Sequence, residues 1–132
     1  MIMLTGEICQ LEKSKLKKSV EKRMIETIRI DEKIKELEGK YWQPKDIVEI
    51  NNQVIRLALF KGEYHWHKHT KEDELFLVYK GSITIKIKGK EEIKVKAGEM
   101  IVIPKGIEHC PMSEEGAAVL LFEPQTLTSK GD

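Results

Sequence analysis

From Ile47 to Phe122 the chain is punctuated at short, even intervals. Runs of four to seven residues rich in Ile, Val, Leu and Phe are separated by Asn51-Asn52, Gly89-Lys90, Ala97-Gly98, Pro104-Lys105-Gly106 and Glu114-Glu115-Gly116. Within the runs, apolar residues fall at every second position, the period of a strand with one face buried. Ser82–Lys88 sets Ile83, Ile85 and Ile87 on one face, and Glu91–Lys96 returns with Ile93 and Val95 inward and Lys94 and Lys96 outward. Strands are likewise predicted at Ile47–Ile50, Val54–Phe60, Glu63–His69, Glu74–Tyr79, Met100–Ile103 and Ala117–Phe122. Many short strands divided by Gly, Pro and Asn turns predict an all-β sandwich or barrel, without choosing between them.

One stretch carries most of the chemistry. Three of the four histidines, His65, His67 and His69, lie within five residues of one another, followed by Glu72, Asp73 and Glu74. On an extended strand, alternate residues share a face and lie about 6–7 Å apart, so two of these imidazoles can converge on one ion. A turn over Thr70–Asp73 brings the Glu74 carboxylate back towards them. The fourth histidine, His109, follows a second Gly/Pro-marked stretch, Gly98 to Gly106. Neutral imidazole and carboxylate oxygen suit a divalent transition ion: Fe, Mn, Zn, Ni, Cu or Co.

The spacing in these two stretches resembles the two motifs of the cupin superfamily, in its small single-domain form. The first reads His67-Lys68-His69, four residues, Glu74, six residues, Gly81; the second reads Gly98, five residues, Pro104-Lys105-Gly106, two residues, His109. Ser113 stands where the second motif ends in Asn. The resemblance implies a double-stranded β-helix (jelly-roll) barrel over residues 27–132. It also implies one divalent transition metal held by His67, His69, Glu74 and His109. His65 precedes the motif and shares the face of its histidines. It is expected to line the pocket, support a ligand or act as a catalytic base, and a set using His65 and His67 with His69 outside remains open. Tyr64 and Trp66 fall on the opposite face and are expected outside the barrel, at a homodimer seam. The resemblance and that aromatic face together imply a homodimer.

The N-terminal residues 1–26 lie outside the resemblance. Leu16, Val20, Met24 and Ile28 recur every four residues with lysines opposite, which predicts an amphipathic, basic helical extension. A short strand is expected at Thr27–Ile30, and a short helix at Asp31–Glu38, whose first turn is acidic and which stops at Gly39. The polar tail Gln125–Asp132 is expected to cover an edge or fray.

Charge limits the partners. The chain has 132 residues and a formal net charge of +1, so no overall field recruits nucleic acid or a membrane surface. No run of 18 apolar residues can span a bilayer, and the first ten residues do not read as a signal peptide. Cys9 and Cys110 match no metal or redox spacing. A cytoplasmic protein with free thiols is expected. Lysine outnumbers arginine 20 to 3, and Glu is abundant, a balance expected of a heat-adapted protein. Three function classes follow. The first is a metalloenzyme acting on a small molecule in the barrel, a dioxygenase-type oxidase or a sugar isomerase or epimerase. The second is a non-catalytic small-ligand or metal-sensing module, and the third an architectural dimer.

Overall fold

The computed structural model describes residues 25–132. Among the described residues a short helix, α1 (Ile30–Glu36), precedes six strands: β1 (Lys45–Ile50), β2 (Gln53–Glu63), β3 (Glu74–Ile87), β4 (Ile93–Lys96), β5 (Met100–Ile103) and β6 (His109–Pro124). They form one antiparallel sheet in the order β1-β2-β6-β3-β4. The long β3 is the spine. Its first half pairs with β5 and its second half with β4, while its other edge pairs with β6 almost throughout. The described residues thus adopt the expected mostly-β architecture, and the basic N-terminal extension lies, but for its last two positions, outside them.

Two apolar layers follow from the strand period. Ala58, Phe60, Phe76, Val78, Ile83, Ile85 and Val119 pack on the inner face. Leu57, Leu59, Ala118 and Leu120, their neighbours in sequence, pack on the outer face. Both faces of β2 and β6 are therefore apolar, and α1 covers part of the outer one with Ile30, Ile34 and Leu37. Each buried Leu or Ile contributes roughly 1.5–3 kcal/mol of transfer free energy. This explains why no strand forms at residues 27–30. Ile30 is the first residue of the i, i+4, i+7 stripe of α1, and the 26–29 segment has neither helix nor strand.

The strands run longer than the turn residues suggest. The runs at 74–79 and 82–87 are one strand, passing through Gly81 at φ +78°. A Cβ at Gly81 would run into the carbonyl oxygen of Gly116, which is why the position needs glycine. Glu114-Glu115-Gly116 likewise forms no turn and lies within the sixteen-residue β6. The register of β3 against β6 slips between Gly81 and Thr84, so the punctuation marks a bulge, not a chain reversal. Ser113 secures this region: its hydroxyl donates to the Ser82 carbonyl at 2.7 Å and accepts from Gly116 N–H. Ile93, expected inward, is 43% exposed, whereas Val95 is buried as expected.

Candidate metal centre

His67 and His69 follow β2 in an extended segment that is not a regular strand, contrary to the expectation for Glu63–His69. Alternation survives because the segment is pinned from both sides. His67 and His109 exchange backbone hydrogen bonds at 3.0 and 2.9 Å, and the His69 carbonyl accepts from Gly106 N–H at 2.7 Å. The Pro104-Lys105-Gly106 turn therefore holds the histidine segment as well as aiming His109. Glu74 opens β3 and His109 opens β6. His67, His69, Glu74 and His109 are all buried, and one ligating atom from each lies within 4.8 Å of the others.

The tautomers follow from backbone acceptors. Nδ1–H of His67 donates to the His65 carbonyl at 3.0 Å, and Nδ1–H of His109 donates to the Ile107 carbonyl at 2.9 Å. A carbonyl can only accept, so each ring presents an Nε2 lone pair. Glu74 Oε1 lies 3.3 Å from His69 Nε2 and 3.8 Å from His109 Nε2. Those three atoms are buried and have no well-formed hydrogen bond among the described residues. Leaving such groups unmade costs about 1–3 kcal/mol each, and a cation among them removes that cost. The donor set thus fits a metal ion.

Protonation favours the same use. Burial pulls His67 down to about 4, against the opposing effect of the His65 carbonyl, so its ring is neutral at pH 7. Burial alone would raise Glu74, but His109 and His69, when their rings carry a proton towards it, and then Glu123 outweigh burial and hold the carboxyl at about 2. Three nitrogens and one oxygen, with no thiolate, suit Fe, Mn, Zn, Ni, Cu or Co. Cys110 is a free, buried thiol whose Sγ faces Glu63 and the Tyr64 carbonyl. Burial pushes it up to about 11.

His65 does not join the cluster. Its ring is exposed, and Nε2 is engaged with the Lys130 carbonyl at 3.0 Å. It does not line the pocket beside the four clustered residues, and its contribution there is the carbonyl that fixes the His67 tautomer. Because the segment leaves the sheet, its neighbours separate too: Trp66 is 48% exposed, while Tyr64 turns inward.

Tyr64 belongs to an aromatic wall that sequence reasoning missed. Trp42 stacks between Phe60 and Tyr64, with ring centroids at 4.3 and 4.7 Å. These three rings and Phe76 line a narrow, largely apolar pocket that also reaches His67 and Glu74. Trp42 enters it from a backbone at φ +59°, a conformation rare for a bulky residue, secured by its indole N–H to the Lys61 carbonyl at 2.8 Å. The C-terminal segment closes one side. Ser129 lines the pocket, Gly131 packs against His67, and the Asp132 carboxylate accepts from Thr70 N–H and Oγ1–H.

Two further charged residues, Arg56 and Glu123, stand beside the site with a place there that the sequence reading did not assign. Both sit at inward positions, Arg56 two residues from Val54 and Ala58, and Glu123 two beyond Leu121. That alternation was the available signal. Glu123 is 1% exposed and pairs with Arg56 Nη1 at 2.6 Å. Burial, then the neighbouring Glu74 carboxyl, push Glu123 up to about 9 against the pull of Arg56.

Known proteins give the same reading of the fold. A cupin-domain family model matches residues 59–123. An uncharacterized Bacillus subtilis protein, YdbB, is 48% identical over 63 residues, 48% of this chain and 56% of YdbB. The match therefore spans little more than half the length of that relative. Among solved structures, a cupin-2 domain protein of Shewanella frigidimarina superposes with a TM-score of 0.71 at 37% identity, covering 75% of this chain and 95% of that one. A Neisseria meningitidis protein superposes at 0.69 and 29% identity, covering 76% of this chain and 100% of that one. Identity of 37% over nearly the whole of the Shewanella protein exceeds a likeness of fold alone, and the chain belongs to the cupin family.

Proposed function

We propose that this cupin is a metalloenzyme of dioxygenase type, acting on a small planar molecule beside one divalent transition ion held by His67, His69, Glu74 and His109. The observation that carries the reading is shared lining: His67 and Glu74 belong both to the ligand cluster and to the aromatic pocket. A molecule in that pocket lies next to the ion. Trp42, Phe60, Tyr64 and Phe76 supply flat apolar surface for it and keep bulk water from the reacting face. A redox-active ion such as iron supplies the dioxygen chemistry when bound. The chain's residues supply a neutral His67 ring, an ionised Glu74, and a Tyr64 ring edge-on to His67 at 5.5 Å between centroids.

The isomerase or epimerase version is less well supported. It needs a proton-transfer group at the substrate, and the His65 ring offered for that role is turned to Lys130. A sugar phosphate also needs cationic partners, and among the described residues the pocket lining contains no Lys or Arg. Homodimerisation remains part of the proposal. Its support is an apolar outer patch, where Leu75 lies between Phe122 and Val102 across neighbouring strands, with Val102 51% exposed. A monomer by light scattering refutes that part. A cytoplasmic location is proposed with it; among the described residues no helix is long and apolar enough to cross a membrane.

The test is elemental analysis of the protein as purified, followed by oxygen uptake with a panel of phenols and diketones after loading iron. One metal per chain and substrate-dependent uptake support the reading. Silence with every ion, with small aromatic molecules still bound, transfers the barrel to non-catalytic ligand binding.

A further inference from the structure

We propose that Arg56 and Glu123 are positioning residues for Glu74, holding its carboxylate where the metal centre needs it. The inference rests on the His67, His69, Glu74 and His109 cluster being the metal site.

The β3–β6 ladder pairs Leu75 with Phe122 and Phe76 with Leu121, so its next rung sets Glu74 opposite Glu123. Both side chains point inward, at 3% and 1% exposure. Directly opposed residues on antiparallel strands have Cβ atoms about 4.5–5.5 Å apart, within reach of side-chain hydrogen bonding for two glutamates. Above Glu123 on the same strand face lie Leu121 and Val119, so an aliphatic residue would fill this position at no polar cost. The chain instead buries a second carboxyl beside the first.

That carboxyl is anchored. Its Oε1 accepts from Arg56 Nη1 at 2.6 Å. Arg56 is fixed in turn by three more acceptors: Asp46 Oδ1 on β1 at 2.8 Å, the Leu127 carbonyl at 2.7 Å and the Gln125 carbonyl at 3.2 Å. A guanidinium held by four acceptors, one on β1 and three in the 123–127 stretch, has little freedom, and it passes that rigidity to Glu123. The remaining oxygen, Glu123 Oε2, is buried without a hydrogen bond of good geometry among the described residues, as is Glu74 Oε1. Oε2 is therefore the atom left to meet Glu74. Partners of this kind orient a ligating carboxylate and set its affinity for the ion. The arrangement also accounts for the lone arginine of the barrel, which is consumed in bracing and does not clamp a substrate anion.

The test uses the full chain and Co(II) as probe, read by titration and by the visible ligand-field bands. E123A and R56M are expected to weaken Co(II) binding by about 10- to 100-fold and to shift the bands. E123Q is expected to recover most of the affinity, because an amide can still accept from Arg56 and offer an N–H to Glu74. The double variant R56M/E123L removes both partners together, so folding does not depend on one buried polar group left unpaired, and it is expected to show the same loss. E74A is the control. If E74A loses Co(II) while E123A, R56M and the double variant bind with unaltered affinity and bands, the positioning role is wrong and the metal site stands. If E74A itself binds like the parent protein, the metal reading fails first.

Discussion

His67 and His109 exchange both backbone hydrogen bonds, at 3.0 and 2.9 Å, so two proposed ligands are locked together by main chain that no side-chain substitution removes. Ligand truncation should therefore separate metal binding from folding. H67A, H69A, E74A and H109A are each expected to keep the far-ultraviolet spectrum of the parent and to lose metal affinity by about 100-fold or more, beyond the 10- to 100-fold usual for a supporting residue. Dialysed protein measured by elemental analysis checks this. A variant that retains one ion per chain is not missing a ligand.

Removing the ion should cost stability. Without it, His69 Nε2, Glu74 Oε1 and His109 Nε2 remain buried with lone pairs unmet among the described residues. An ion that binds only the folded chain adds about 2.7 kcal/mol at a free concentration of 100 Kd. For a domain of this size that corresponds to roughly 10 °C in Tm. Calorimetry with and without a chelator is the measurement, and an unchanged Tm after verified metal removal would contradict the site.

Gly81 is expected to tolerate no side chain. Its φ of +78° disfavours any L-residue, and a Cβ would strike the Gly116 carbonyl oxygen within the β3–β6 bulge. G81A should destabilise the protein by about 1–3 kcal/mol, seen as a lower urea midpoint. G62A, also at positive φ but with open space around its Cβ position, should cost less. Equal midpoints for the two variants would mean that the close approach to Gly116 has no energetic weight.

The cluster of His67, His69, Glu74 and His109 was legible because its spacing is a motif and because period-2 alternation places side chains even where no regular strand forms. The strand lengths were not. Gly81 and Gly116 look like turn residues in one dimension, and only their close approach to one another shows that they allow two long strands to bulge together. For a related reason Tyr64 departs from the outward position expected for it and Trp66, a position that Trp66 keeps. Beyond Glu63 the chain leaves the sheet, and neighbours that would share a face on a strand part company. Trp42 carries no local signal for its place in the pocket, since its φ of +59° is imposed by tertiary contacts. Arg56 and Glu123 could have been found, because each interrupts an apolar inward series.

His67 and Glu74 should each weaken the metal-free protein in acid, in two steps of the same sign. The folded chain holds His67 down at about 4, below the ordinary 6.5 of an unfolded histidine. Between those values the unfolded chain takes up a proton that the folded chain refuses, so this contribution is present above pH 6.5 and is lost as pH falls towards 4. Glu74, held at about 2 against an ordinary 4.5, adds a second loss between pH 4.5 and 2. Glu123, held up at about 9, works in the opposite direction over this range, so the His67 loss is read against a variant in which Glu123 is unchanged. Tm of H67Q, which cannot take up that proton in either state, should fall less, or rise more, than that of the parent protein as pH drops from 6.5 to 4. Parallel curves for the two proteins over pH 6.5 to 4 would show that burial does not hold the His67 ring neutral. In that case its Nε2 lone pair would not be ready for a metal ion without first losing a proton.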